Sequence, residues 1–282
     1  NNLNYFFKHQ NIDYFSYSLA KYLKKRLCLF MELILEVGLN HFGKISESKK
    51  YLQFFLKSNF KSLTYQIQKE DFYKKFNFKL PIDHYKFIIK KTHQKNKRIG
   101  LAVADINSCK EIAKLNFDFY KILSISLNDK KLINYISKFN KPIYISCGTA
   151  SNNDIKKCLS NFNSNKKRKI RLIHTSLSYK AIDQNLKRID LLKNYHQSIA
   201  YGHHYKNYLP ILLLLNSNIK ETFIYIKSKD TNKRFYPDDK HALSFKNIKN
   251  LNDIILECIK LFGSKNKRNK YIKTINDKKI SF

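Results

Sequence analysis

Tryptophan is absent from this 282-residue chain, methionine occurs once, and glycine and proline number only 6 and 4. Lysine, asparagine, isoleucine, phenylalanine and tyrosine abound instead. That balance reads as a codon bias towards A and T acting on every exposed position. Acidic residues are also scarce, 21 against 55 lysines and arginines, so the formal charge is +34. Such a charge ordinarily points to nucleic acid or an anionic membrane. Here the lysines are spread along the chain, with local clusters at 86–98, 165–171 and 264–279. The reading adopted is a solvated basic surface, with nucleic acid and membrane not expected as partners.

Five cysteines (Cys28, Cys109, Cys147, Cys158 and Cys258) are odd in number, scattered, and form no C-x-x-C pair. That argues against a disulfide framework or a structural zinc site and fits a reducing cytoplasm. No apolar run reaches the roughly 18–20 residues of a membrane span. The stretch 27–39 is interrupted by Glu32 and Glu36, and 209–215 is too short. Lys24, Lys25 and Arg26 precede a short apolar stretch, but no small-residue cleavage site follows, so a signal peptide is not indicated. Neither a G-x-G-x-x-G nor a P-loop is present, which weakens a nucleotide-binding sheet. No internal repeat is visible.

What is present is a core-forming chain, 43% hydrophobic. Eight short apolar, β-branched or aromatic runs recur along it: 32–39, 62–67, 98–104, 119–125, 142–147, 169–175, 197–202 and 221–227. Between them lie segments with helical apolar spacing, such as 106–114, 132–139, 155–159, 186–192 and 248–262. Alternating strands and helices imply parallel pairing through right-handed crossovers. Eight units in about 250 residues predict a single (β/α)₈ barrel, of α/β class, with an open doubly wound sheet second. The sole methionine, Met31, stands immediately before the first run. The expected organisation is therefore an N-terminal extension over 1–30, the barrel over 31–263 and a loose basic tail over 264–282. The gap 68–97 reads as a long loop that covers the site or moves.

In a parallel barrel, polar residues at the C-terminal strand ends surround the active-site mouth. The first run ends in Glu36, followed by Asn40 and His41. Later runs offer Gln66, Lys121, Ser124, Ser146, His174, Ser176, His203 and His204, with Tyr179 and Asp238 in loops beyond. A carboxylate, a lysine, hydroxyls and imidazoles in one ring could bind an anionic phosphorylated substrate and support acid–base work. Each also has a plain alternative: a core histidine bonded to a backbone carbonyl, or a hydroxyl capping the next helix.

The stretch 31–43, MELILEVGLNHFG, resembles the E-[IV]-G-x-N-H-x-G signature that opens the sialic acid synthase (N-acylneuraminate synthase) family. Lys121 to Ser124, KILS, is similar to the family's K-I-x-S. The segment 141–148, KPIYISCG, is similar to K-P-x-x-x-S-T-G. Leu172 to His174 with Tyr179 resembles L-L-H-C…Y-P. The segment 200–204, AYGHH, stands where the family has G-x-S-D-H, and 237–243, PDDKHAL, resembles P-D-H…S-L. Order and spacing hold from about 32 to 263.

The resemblance implies a synthase that joins phosphoenolpyruvate to the aldehyde of an open-chain N-acylated hexosamine. It implies a divalent metal, manganese or magnesium, held by two histidines. Glu36 and Asp238 would be the catalytic carboxylates. Asn40, Gln66, Lys121, Ser124, Ser146 and Tyr179 would hold substrate, and His204 would be a metal ligand. The chain also departs from the pattern. The family's strand-two lysine falls on Thr64. The second metal histidine should lie in 221–227, where Ile224 or Tyr225 stands instead. The Ser-Asp before His204 is Gly202-His203, and the histidine after Pro-Asp is Asp239. The family's C-terminal antifreeze-like domain, which reaches a partner subunit's site, has no counterpart in these residues. Two expectations follow: a divergent synthase with weak metal binding and slow condensation, or an impaired relative that binds a sugar, a phosphate or a partner subunit; a homodimer or a partner subunit is the expected assembly.

Overall fold

Apolar runs without polar alternation are strands buried on both faces, and such strands need cover on both sides. The computed structural model, which describes residues 31–217, 219–230 and 236–262, shows how that cover is arranged. Eight strands run parallel: β1 Glu32–Gly38, β2 Ser62–Ile67, β3 Arg98–Val103, β4 Phe119–Ile122, β5 Ile143–Ser146, β6 Ile170–Thr175, β7 Ile199–His203 and β8 Glu221–Lys227. Each pairs with the next, and β8 pairs with β1 from Glu32↔Glu221 to Glu36↔Tyr225. The sheet is therefore closed, which settles the barrel against the open doubly wound sheet. A two-residue strand, β9 Leu243–Ser244, adds to the end of β8.

The crossovers carry α1 Ile45–Lys57, α2 Glu70–Lys75, α3 Ile82–His93, α4 Ile106–Cys109, α5 Lys130–Ser137, α6 Asn152–Leu159, α7 Ser164–Lys167, α8 Arg188–Lys193, α9 Leu209–Leu213 and α10 Phe245–Phe262. Two expectations need correction. The segment 68–97 is no long loop. It holds α2 and α3, and α3 buries His84, Tyr85, Ile88, Ile89 and Thr92 at helical spacing. Its dense lysines lie on the outer face and masked that period. The expected helix 106–114 is broken into α4 and a 3-10 turn at Ile112–Lys114. The expected extension 1–30 and tail 264–282 lie outside the described residues.

Two apolar layers follow from strand parity. Ile34, Phe119, Tyr144, Ile173, Ala200 and Phe223 pack together inside the barrel. Alternate residues such as Leu35, Leu63, Tyr65, Leu172, Tyr201 and Ile224 join the larger core beneath the helices. Gly100 makes the inner layer possible, because a Cβ there would run into the Phe119 ring. Each fully buried large apolar side chain stabilises the fold by about 1.5–3 kcal/mol. Below the inner layer the barrel floor is ionic. Arg98 pairs with Glu32 at 3.3 Å and Arg171 with Glu221 at 2.8 Å, and Tyr144 Oη donates to Glu221 at 2.7 Å.

The same parity decides which strand-end residues face the mouth. Two positions above the inner layer stand Glu36, Lys121, Ser146, Thr175, Gly202 and Tyr225. Thr64 and Gln66 join them, since Ser62 pairs with Ile34. His174 and His203 have the opposite parity. His174 Nε2 meets the Gln184 carbonyl at 2.9 Å in the helical layer. The expectation that His174 belongs to the mouth with Glu36 is therefore corrected: it reaches the right end of the barrel but the wrong face. Among the described residues no helix is long and apolar enough to cross a membrane, and the described cysteines are all free.

Candidate active site

Strand β1 ends in a turn that Gly38 makes at φ +56°, a backbone region that side chains disfavour. Beyond it, Leu39 N–H donates to Asp238 Oδ2 at 3.4 Å. Asn40 spends both ends of its amide on protein. Its Nδ2 donates to the Ile226 carbonyl at 2.9 Å, and its Oδ1 accepts from Asp238 N–H at 3.0 Å. Asn40 thus ties β1 to β8 and to the turn carrying Asp238. His41 points away from the mouth. Its Nδ1 accepts from Gly43 N–H at 2.9 Å, and its ring lies near Tyr65 in the outer core. Burial, then neighbouring His84, lowers its pKa to about 3.

Glu36 and Lys121 meet across the mouth. Lys121 Nζ lies 2.7 Å from each Glu36 oxygen, with both side chains buried. The ammonium also stands 4.9 Å from the Phe223 ring centre and 5.5 Å from that of Tyr225. Burial raises the Glu36 pKa, and the Lys121 charge and hydrogen bonds oppose it. A lysine ammonium has three donors. Two are engaged by Glu36, so one remains for an incoming anion.

Tyr225, at the end of β8, donates through Oη to Gln66 Oε1 at 3.0 Å. Gln66 and Tyr225 thereby close one wall of the mouth. Beside Tyr225, on the β7 side, stands His204, whose Nδ1 lies 3.4 Å from Thr175 Oγ1. Its ring centre is 5.4 Å from that of Tyr225 and 4.5 Å from that of His241. His241 is 4.8 Å from Tyr225, and Tyr179 stacks against it at 6.1 Å. Burial, reinforced by His241 and Lys121, holds the His204 pKa well below its usual value. Burial, with His203 and Lys121 adding to it, holds that of His241 at about 3. Both imidazoles are neutral at pH 7. Asp238 is shifted the other way. Burial and Glu36 push its pKa to about 7, against the Leu39 N–H and Lys121. It can hold or release a proton near neutrality.

The structure thus brings together Glu36, Lys121, Asp238, Asn40, Gln66 and His204. Ser146 is buried at the inward end of β5. Ser124 starts a 3-10 turn, half-buried, and its carbonyl accepts from Thr149 Oγ1 at 3.4 Å. Tyr179 is exposed at the rim. His241 is not legible as a site residue from the motif, because the family's histidine after Pro-Asp aligns with Asp239, two positions earlier.

A two-histidine metal site is what the resemblance implies. Strand β8 carries no imidazole, yet His241 stands beside His204 with both ring nitrogens buried and unbonded. Two neutral imidazoles suit a first-row divalent ion. Among the described residues no group of three or more His, Cys, Asp or Glu side chains converges to hold a metal. Further ligands would have to be water or substrate oxygens.

A family model described as the NeuB family matches residues 41–267. Comparison with curated proteins finds no match. Among solved structures, an N-acetylneuraminic acid (sialic acid) synthetase from Leptospira borgpetersenii serovar Hardjo-bovis superposes with a TM-score of 0.74. It is 19% identical, and the match covers 89% of this chain and 92% of that one. The spore coat polysaccharide biosynthesis protein spsE from Bacillus subtilis gives 0.68 at 18% identity, over 89% and 71%. A truncated 3-deoxy-D-arabino-heptulosonate 7-phosphate synthase from Thermotoga maritima gives 0.62 at 13%, over 83% and 87%. At these identities the likeness concerns the fold.

Proposed function

Because this chain belongs to the NeuB family, we propose that it is a synthase of carbohydrate biosynthesis that condenses phosphoenolpyruvate with an N-acylated hexosamine. The observation that carries the reading is the buried Glu36–Lys121 pair at the barrel mouth, with Asp238 beside it at a pKa of about 7. Lys121 would supply the fixed cation for the phosphoenolpyruvate anion through its third donor, and Ser124, Ser146 and Gln66 would add neutral donors. In the reaction the enol carbon bonds to the aldehyde carbon, whose oxygen takes a proton. Water then adds to the cationic carbon left behind, giving up a proton, and phosphate departs with its bridging oxygen. On this reading Glu36 and Asp238 move those protons. A divalent cation, when bound by His204 and His241, would polarise the aldehyde as a Lewis acid. Phosphate release from phosphoenolpyruvate across a panel of N-acylhexosamines, with and without manganese, tests this. Release that Glu36→Gln and Lys121→Met leave intact would sink the site.

A second reading is favoured by two particular residues. Thr64 faces inward beside Glu36 where the resemblance places a lysine, and Tyr225 fills the strand-eight position. On this reading the barrel binds a sugar or phosphate without turning it over at ordinary rates. A missing charge-assisted contact costs about 1.5–3 kcal/mol, or roughly ten- to a hundredfold in affinity. Thr64→Lys with Tyr225→His should therefore raise any phosphoenolpyruvate-dependent rate by about that factor. An unchanged rate would mean these two positions do not limit the protein.

A further inference from the structure

Along the chain the lysines are spread, but the barrel sorts charge by end. Links from a strand end to the next helix lie at the mouth, and links from a helix end to the next strand lie at the floor. The floor links are 58–61, 94–97, 110–118, 138–142, 160–169, 194–198 and 214–220. They hold twelve lysines and arginines against two acids. The mouth links are 39–44, 68–81, 104–105, 123–129, 147–151, 176–187, 204–208, 228–230 and 236–244, and they hold ten against eight. The floor acids are also engaged. Asp118 meets His93 Nε2 at 3.0 Å and accepts from Ile99 N–H at 2.8 Å, and Glu111 is held by Lys114 at 2.8 Å. At the strand starts Glu32 and Glu221 are taken by Arg98 and Arg171. Lys61, Lys95, Lys166, Lys167, Arg168 and Lys220 are exposed, and none of them meets an acid within ion-pair distance among the described residues. The cations crowd one another. Lys97, whose Nζ donates to the Phe55 and Ser58 carbonyls at 2.6 Å, has its pKa lowered by burial and then by Lys61 and Lys95.

We propose that the floor of the barrel is a docking face for an anionic lipid surface, so that the mouth faces away from the membrane. Links at one end of a closed barrel form a ring around its axis, a broad face that suits a plane. An anionic leaflet attracts each cation held close to it, and the attraction falls off within a Debye length. Leu213 at the end of α9 and Leu261 in the last turn of α10 are 64% and 79% exposed at the same end. Apolar side chains so placed can enter the headgroup layer. A single-stranded nucleic acid would instead need exposed rings on which its bases stack. The exposed large aromatic side chains, Phe76, Phe87 and Tyr179, all stand away from the floor links. The proposal rests on the placement of charge and is independent of the synthase reading.

Co-sedimentation of the whole chain with vesicles of phosphatidylcholine, alone or mixed equally with phosphatidylserine, is the test. Binding is expected to the mixed vesicles alone and should be lost as sodium chloride is raised. Lys166→Gln with Lys167→Gln and Arg168→Gln removes three floor cations, at about fivefold each and on the order of a hundredfold together. Lys61→Gln with Lys95→Gln and Lys220→Gln, on other floor links, should weaken binding alike, so that misfolding of one variant leaves the other to answer. Lys69→Gln with Lys75→Gln and Lys79→Gln removes the same charge from the mouth side and should weaken it by no more than about twofold. No binding by the wild type, or an equal loss in the floor and mouth variants, overturns the proposal. So does wild-type affinity in a folded floor variant, which would place the binding elsewhere, such as the basic run 264–279. Tighter binding to a DNA duplex at the same salt, weakened by the same floor substitutions, would overturn it in favour of a nucleic acid.

Discussion

Replacing Lys121 with methionine would leave the Glu36 carboxylate buried and without its cation. Breaking a buried pair on one side typically costs about 3–5 kcal/mol, because the remaining charge keeps its desolvation penalty. Lys121→Met should therefore lower stability by about that much in urea unfolding, and adding Glu36→Gln should recover most of it. A single variant as stable as the wild type would mean that the pair is not held as described. His203 gives a second prediction at this scale. Burial, opposed by a backbone hydrogen bond at Tyr205, lowers its pKa from 6.5 to about 4. Below pH 6.5 the unfolded chain accepts a proton that the folded chain refuses until about pH 4. This contribution is therefore greatest above pH 6.5 and is lost as pH falls through that window. Asp238, raised from 3.8 to about 7, works in the opposite sense, losing stability as pH rises through the same region. Comparing His203→Gln with the wild type cancels that term. The variant should lose less stability between pH 7 and pH 4, and an equal loss would refute the assignment.

The end of β1 is the element on which the mouth depends. Gly38 adopts φ +56°, and a Cβ there would run into the Asp238 carboxylate and the Tyr225 ring. Gly38→Ala combines left-handed strain of roughly 1–2 kcal/mol with a displaced Asp238 turn. It should lower the melting temperature and reduce phosphoenolpyruvate-dependent phosphate release together. Ser151→Ala offers the contrast. It removes the capping box of α6, in which Ser151 and Asp154 satisfy each other's backbone N–H. That should cost about 1 kcal/mol in urea unfolding, without moving the β1 turn or Asp238. A Gly38→Ala variant with unchanged release would show that the turn tolerates movement.

For the molecule as a whole, the charge of +34 acts as a destabilising field. The described ion pairs are mostly local, such as Lys50–Glu47, Lys74–Asp71, Lys86–Asp83 and Lys114–Glu111, each three residues apart. Such pairs do little against self-repulsion. Salt that shortens the Debye length to about 8 Å at physiological ionic strength should therefore raise the melting temperature relative to low-salt buffer. A melting temperature that falls with added sodium chloride would indicate that attractive networks outweigh the repulsion.

What the sequence determined by itself was the barrel and the ends of its strands. Eight apolar runs are local patterns, and burial on both faces leaves parallel strands few other ways to close. Glu36, Lys121 and His204 were legible for the same reason, each standing at or just past the end of such a run. The long insertion between β2 and β3 was not legible, because lysines on the outer face of α3 hid the apolar period of Tyr85, Ile88 and Ile89. Only the tertiary structure decided which polar residues share a space. One residue of parity turns His174 and His203 into the helical layer, and a three-residue step from Asp238 brings His241 over His204. Facing and through-space neighbours depend on barrel closure and on how the turn after β8 is tied to Asn40. Those are relations between distant segments, and no local pattern encodes them.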